Sequence, residues 1–91
     1  MKNIYVVRDE VSGEFGEPFC MANDSVLSRS MVNTVALVED NAILARMRDS
    51  VVYQIAVLTE TMDFPVIDSL PTPRLALRVS SCMKVGDTVE E

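Results

Sequence analysis

The segment from Val51 to Thr59 constrains the fold most, because it is partly apolar on both of the faces that a strand would present. Side chains alternate between the two faces of a strand. One face carries Val51, Tyr53, Ile55, Val57 and Thr59, and the other carries Val52, Gln54, Ala56, Leu58 and Glu60. Apolar residues on both faces favour a central position over an edge position. The segment therefore predicts a strand in the middle of a sheet.

Shorter segments at both ends of the chain also have the composition of strands. Their β-branched, aromatic or alternating residues favour extended structure. The predicted strands cover residues 3–7, 18–22, 64–67 and 74–80, with a turn-rich connector at 68–73. Pro65 places the strand at 64–67 at an edge or a break, because proline cannot donate to a ladder.

Two helices are predicted between these strands. Asn23, Asp24 and Ser25 form a strong helix start, since their side chains accept hydrogen bonds from first-turn amides. The helical spacing of the apolar residues that follow predicts one buried face, made of Leu27, Met31, Val35 and Val38. A second helix is predicted from Glu39-Asp40-Asn41 through Arg48, with Ile43, Leu44 and Met47 on its apolar side.

The order of these elements predicts an α+β fold. We expect a small antiparallel or mixed sheet of about four to five strands, with one or two helices packed on one face. The 91 residues are enough for one domain. We place that domain at residues 1–83 and a short acidic C-terminal tail at residues 84–91.

The residue inventory disfavours catalysis. The chain has no histidine, which is the commonest general base near neutral pH and the commonest metal ligand. Cys20 and Cys82 lie far apart in sequence and form no CxxC motif, so they are interpreted as ordinary reduced thiols. The neighbouring acids, Asp9 with Glu10 and Glu39 with Asp40, are interpreted as solvated. We therefore predict a protein that is not an enzyme and has no cofactor or metal.

A glycine-containing stretch resembles a phosphate-binding loop only superficially. Residues 12–16 read Ser-Gly-Glu-Phe-Gly, but no Lys-Ser/Thr pair follows them and no helix is predicted to begin there. Glu14 and Glu17 would also repel a phosphate. The stretch instead predicts a tight hairpin with glycines at positive φ.

The basic residues provide the candidate binding site. Arg74 and Arg78 alternate onto one face of the last predicted strand. With Arg29 or Tyr5 nearby, they would form a small patch for phosphates or stacked bases. The plainer interpretation is that these arginines are solvated at a sheet edge and discourage edge-to-edge pairing. The net charge of −6 disfavours indiscriminate coating of nucleic acid but leaves room for a local basic patch.

Composition and hydropathy also address compartment and assembly. The apolar run from Ile4 to Val7 ends at Arg8 and is too short for the core of a secretion signal. The longest apolar stretch is far shorter than a membrane span. We therefore expect an intracellular protein without membrane contact. The apolar fraction of 48% favours a homo-oligomer, because a small core cannot hide it all.

The N-terminal third resembles the small nonstructural protein of gokushovirus-type microviruses, which are tailless single-stranded DNA phages. In that family a strand runs into a Ser-Gly-x-Phe-Gly-x-Pro-Phe turn, and an Asn-Asp pair then opens a helix that carries an arginine. The matching residues here are Tyr5-Val6-Val7-Arg8-Asp9, Ser12 to Gly16, Pro18-Phe19, Asn23-Asp24 and Arg29. Asp49 to Leu58 and Pro73-Arg74-Leu75 resemble later segments of the family.

The resemblance implies a role in viral genome replication, or in the switch to packaging of the single-stranded genome. It implies action in the host cytoplasm, outside the virion, and it brings no catalytic residues. Single-stranded DNA and a phage or host replication protein both stay open as direct partners. The alternative function is a protein–protein adaptor or homodimeric regulator of a host or phage enzyme, without contact to DNA.

Overall fold

A computed structural model describes residues 1–83, which form six helices and strands and one 3₁₀ turn. The predicted acidic tail, residues 84–91, lies outside the described residues. The elements in chain order are β1 (Lys2–Asp9), β2 (Phe19–Met21), α1 (Asp24–Leu37), α2 (Asn41–Arg48), β3 (Ser50–Glu60), β4 (Pro65–Arg78) and the 3₁₀ turn Val79–Cys82.

The strands form one antiparallel sheet in the order β2-β1-β3-β4, which confirms the α+β class. β3 lies between β1 and β4, as predicted. The predicted division of its side chains into two faces is wrong beyond Gln54, because a bulge at Ile55 places Ala56 and Leu58 on the same face as Tyr53. Both helices pack on the same face of this sheet, over a core built on Tyr5 and Val52. Within residues 1–83 the fold is therefore a sheet with one face covered by helices and one face that carries none.

β4 differs from the prediction, because residues 64–67 and 74–80 were expected to be separate strands. They belong to one strand, Pro65–Arg78, whose predicted connector is a wide bulge. Ser69 pairs with Ala56, and Arg74 pairs with Gln54. Residues 70–73 of β4 therefore all lie opposite a single residue of β3, Ile55. Pro71 and Pro73 fit there because bulged residues need no ladder N–H. The strand then ends at Arg78, and Val79 begins the 3₁₀ turn.

Both helices begin where their capping residues predict. The Asn23 side chain accepts a hydrogen bond from the Val26 amide at 2.9 Å and caps α1. The Asp40 carboxylate accepts hydrogen bonds from the Ala42 and Ile43 amides and caps α2. Arg46 and Arg48 end α2, where cations complement the negative end of the helix dipole.

The core lies between the helices and the covered face of the sheet. Its fully buried side chains are Tyr5, Leu27, Val52 and Val79, and Val35 adds to them. The predicted apolar positions Met31, Leu44 and Met47 pack against this cluster. Ile43 remains 42% exposed, so the apolar side of α2 is only partly used.

The hairpin after β1 turns at a glycine, as predicted. Gly13 has a φ of +78°, which L side chains rarely adopt, and its amide donates to the Asp9 carbonyl at 2.7 Å. Among residues 1–83 no other glycine has a positive φ, so the prediction for Gly16 is wrong. The Val11 amide donates to the Asp9 carboxylate, which lowers the pKa of that carboxyl.

Candidate functional site

The face of the sheet that carries no helix, which we call the open face, is the most promising binding surface. Residues that pair across neighbouring strands share a face. The pairing of β1, β3 and β4 places four rows there: Lys2–Leu58–Ile67, Ile4–Ala56–Ser69, Val6–Tyr53–Leu75 and Arg8–Val51–Arg78. The two middle rows contain no charged residue, whereas the first row contains Lys2 and the last row contains Arg8 and Arg78.

A shallow depression of about 320 Å³ lies near the middle of the open face. It is lined by Val6, Arg8, Phe15, Tyr53, Ile55 and Pro73. Phe15 comes from the hairpin that follows β1 and is 61% exposed, and Leu75 of β4 is 43% exposed. The depression is therefore flanked by two aromatic rings, whereas Ile4, Val6, Val51 and Ala56 of the same face are buried.

One cation, Arg8, lines this depression, and Lys2 and Arg78 lie elsewhere on the open face. The Arg8 guanidinium lies 5.6 Å from the centre of the Phe15 ring and donates to the Glu10 carboxylate at 3.0 Å. Lys2 lies 3.9 Å from Glu60 in a second exposed ion pair. Among residues 1–83 Arg78 forms no ion pair. Such exposed pairs exchange readily with other anions, since each contributes about 1 kcal/mol or less.

The local charge of the open face differs from that of the whole chain. Lys2, Arg8 and Arg78 supply three positive charges, and Glu10 and Glu60 supply two negative ones. The whole chain, by contrast, has a net charge of −6. The open face is therefore a region where an anionic ligand meets no net repulsion from its nearest neighbours.

Tyr5, a predicted site residue, lies on the covered face and is fully buried. Its hydroxyl donates to the Asp24 carboxylate at 2.6 Å and accepts from the Asn3 amide at 2.9 Å. Burial and the bond to Asp24 raise the pKa of Tyr5. The ring has no free face for a base, because β1 is a central strand whose helix-facing side chains are covered.

Arg74 also faces the helices, so the prediction that it shares a face with Arg78 is wrong. Arg74 pairs with Gln54 and Arg78 pairs with Val51, and these partners lie on opposite faces of β3. The physical reason is a bulge at Ala76, which shifts the alternation of β4 by one residue. Sequence alternation alone does not reveal a bulge.

The Arg74 side chain is part of a structural cluster at the start of α1. Its guanidinium donates to both Asp24 carboxylate oxygens at 2.9 Å and to the Gln54 side chain at 2.8 Å. The bonds from Arg74 and then Tyr5 lower the pKa of Asp24, and the bond to Asp24 raises the pKa of Arg74. The cluster joins β1, β3, β4 and α1, and its cation is already paired.

Arg29 is exposed on α1, in the helical layer on the other side of the sheet from Arg78. The structure therefore brings together only Tyr5 and Arg74 of the predicted set, around Asp24. Arg78 is the one predicted residue on the open face. Sequence reasoning missed Lys2, Arg8, Phe15 and Tyr53. The alternation of Lys2, Ile4, Val6 and Arg8 was the signal that could have found the two cations.

Possible metal ligands, the thiols and the length of the helices complete the description of residues 1–83. Within residues 1–83, no group of three or more acidic, histidine or cysteine side chains is placed to hold a metal ion. Cys20 is exposed, Cys82 is buried, and both are free thiols. None of the helices in this part of the chain is long and apolar enough to cross a membrane.

Comparison with known proteins gives one match. No curated protein matches the chain, and no solved structure matches it. The sequence model of a phage family, described as Phage ORF5 protein, matches residues 2–82. This match spans every helix and strand of the fold, from Lys2 of β1 to the 3₁₀ turn. The chain therefore belongs to the Phage ORF5 protein family.

Proposed function

We propose that this phage protein binds single-stranded DNA on its open face, without catalysis, and supports viral DNA replication or the switch to packaging. The resemblance to the small nonstructural proteins of gokushovirus-type microviruses supports a single-stranded genome as the target and the host cytoplasm as the place of action. The absence of histidine supports a non-catalytic role.

The observation that carries the proposal is the combination of aromatic rings and cations on one accessible sheet face. Tyr53 and Phe15 flank the depression, Arg8 lines it beside them, and Arg78 lies in the same row as Arg8. Proteins that bind single strands combine stacking rings with a cationic track for the backbone, and each stacked base contributes about 1–3 kcal/mol. An open antiparallel sheet with exposed aromatics is one established platform for such stacking.

The charges set the expected strength and salt dependence. Three cations on the open face predict a slope of about −2 in a plot of log K against log salt, at about −0.7 per neutralised phosphate. The net charge of −6 opposes the approach of any nucleic acid. We therefore expect weak binding that is visible at low salt and lost near physiological salt.

Fluorescence anisotropy with a labelled oligothymidine tests this proposal. Arg78→Ala should reduce the slope by about 0.7, and Phe15→Ala should weaken binding about tenfold at fixed salt. Arg29→Ala is the matched control, because it removes the same charge from the helical layer. The proposal fails if no binding is found at low salt, or if Arg29→Ala weakens binding as much as Arg78→Ala.

A second candidate is the protein–protein adaptor, which the hairpin between β3 and β4 favours. Met62 is fully exposed at its tip, and Phe64 is 65% exposed. An adaptor of this kind would bind no DNA at low salt. In infected cells, Met62→Ser with Phe64→Ser would reduce viral DNA, whereas Phe15→Ala would leave viral DNA unchanged.

A further inference from the structure

The β3–β4 hairpin ends in a tip, residues 61–65, that carries exposed apolar side chains. Met62 and Phe64 stand on either side of Asp63, and both are largely exposed. The turn is held in one shape by Thr61. Its hydroxyl donates to the Phe64 carbonyl at 2.6 Å and accepts from the Asp63 and Phe64 amides. The tip is therefore an ordered projection rather than a loosely held loop.

The charge of the hairpin is uniformly acidic near the tip. The chain has no lysine or arginine between Ser50 and Pro73, whereas Glu60, Asp63 and Asp68 lie in that span. Lys2 approaches Glu60, but within residues 1–83 no cation lies near enough to pair with Asp63. The surface that receives this tip needs apolar walls and a positive charge.

The opposite end of the same chain offers such a surface. A groove of about 410 Å³ lies where α1, α2 and the 3₁₀ turn meet. Its walls include Val32, Val35, Ala36, Leu44 and Met83, and within residues 1–83 Arg48 is the one charged side chain that lines it. Val32 is 39% exposed. The groove therefore matches the tip in both hydropathy and charge.

The two surfaces cannot meet within one copy. β3 has 11 residues and runs from the end of α2 to the tip, a span of roughly 35 Å at the rise of a strand. The tip therefore points away from its own groove, and contact requires a second chain. Pairing of two tips is disfavoured, since it would bring their Asp63 side chains together.

We propose that the tip of one copy docks into the groove of the next, with Met62 and Phe64 against the apolar walls and Asp63 near Arg48. The contact joins different surfaces, so it closes into a two-fold dimer where two copies make it reciprocally, and it extends into chains or rings where they do not. It is independent of DNA binding by the open face.

Sedimentation velocity of the full chain tests the docking between about 10 µM and 1 mM, the range of weak interfaces. The wild type should show a mass that rises with concentration from the monomer to a dimer or a larger assembly. Met62→Ser with Phe64→Ser at the tip, or Val32→Glu in the groove, should weaken self-association at least tenfold. Val11→Ser and Val26→Glu are matched controls, because they change exposed apolar residues outside both surfaces.

Mixing the two defective proteins gives the sharpest result. The tip variant retains its groove and the groove variant retains its tip, so a mixture should form one-to-one dimers and nothing larger. Asp63→Arg combined with Arg48→Asp should restore association that either change alone weakens. A mass that stays monomeric throughout, or a groove variant that associates like the wild type, would overturn the proposal.

Discussion

Tyr5→Phe tests the polar cluster that joins the sheet to the start of α1. The substitution keeps the buried ring and removes only the hydroxyl, which donates to Asp24 at 2.6 Å. Hydrogen bonds to charged groups contribute about 1.5–3 kcal/mol. Asp24 keeps both bonds from Arg74, so we expect a loss near the lower end, about 1.5–2 kcal/mol. For a chain of this size that corresponds to a melting temperature lower by roughly 10 °C.

Urea unfolding followed by circular dichroism measures this loss. The midpoint should fall while the m value stays constant, because the surface exposed on unfolding hardly changes. Tyr53→Phe is the matched control, since its hydroxyl lies 3.5 Å from Glu10 on the exposed side of the sheet. Its effect should stay below about 0.5 kcal/mol. A Tyr5→Phe protein as stable as the Tyr53→Phe protein would refute the stabilising role assigned to the cluster.

Three further substitutions probe the fold. Folding lowers the pKa of Asp24, so this carboxylate stabilises the fold above its unfolded-state pKa, near 3.9, and the stabilisation is lost as the pH falls through its lower folded-state pKa. Asp24→Asn should therefore reduce the loss of stability that the wild type shows in an acid titration. Leu27→Ala should cost about 2–5 kcal/mol in chemical denaturation because Leu27 is 1% exposed, whereas Val26→Ala next to it should change little. Gly13→Ala should lower the free energy of unfolding by about 1 kcal/mol, because Gly13 has a positive φ. Gly16→Ala should be nearly neutral in the same assay, because a Cβ added there makes only ordinary van der Waals contact.

The parts of the fold that the sequence predicts are those specified locally. Asn23 and Asp40 cap the helices through bonds to amides only two or three residues away. β3 is recognisable as central because both of its faces are apolar. These signals depend on neighbours in sequence, so no tertiary information is needed to interpret them.

The candidate site was harder to predict because it depends on pairing between strands. The bulge at Ala76 places Arg74 and Arg78 on opposite faces, and the bulge at residues 70–73 joins two predicted strands into one. The run from Ile4 to Val7 is apolar at every position, so its pattern does not show which side faces the helices. Only the register of β1 with β3 shows that Tyr5 faces the helices and that Tyr53 lies on the open face.

The two tyrosines of the chain offer the most direct test of DNA binding by the open face. Tyr53 lies in the open face, whereas Tyr5 is buried beneath the helices. In an NMR titration at low salt with an oligothymidine, ring currents from stacked bases should shift the Tyr53 and Phe15 ring signals and leave those of Tyr5 in place. Unchanged Tyr53 and Phe15 signals at saturating DNA, or shifts confined to residues of α1 and α2, would contradict the account.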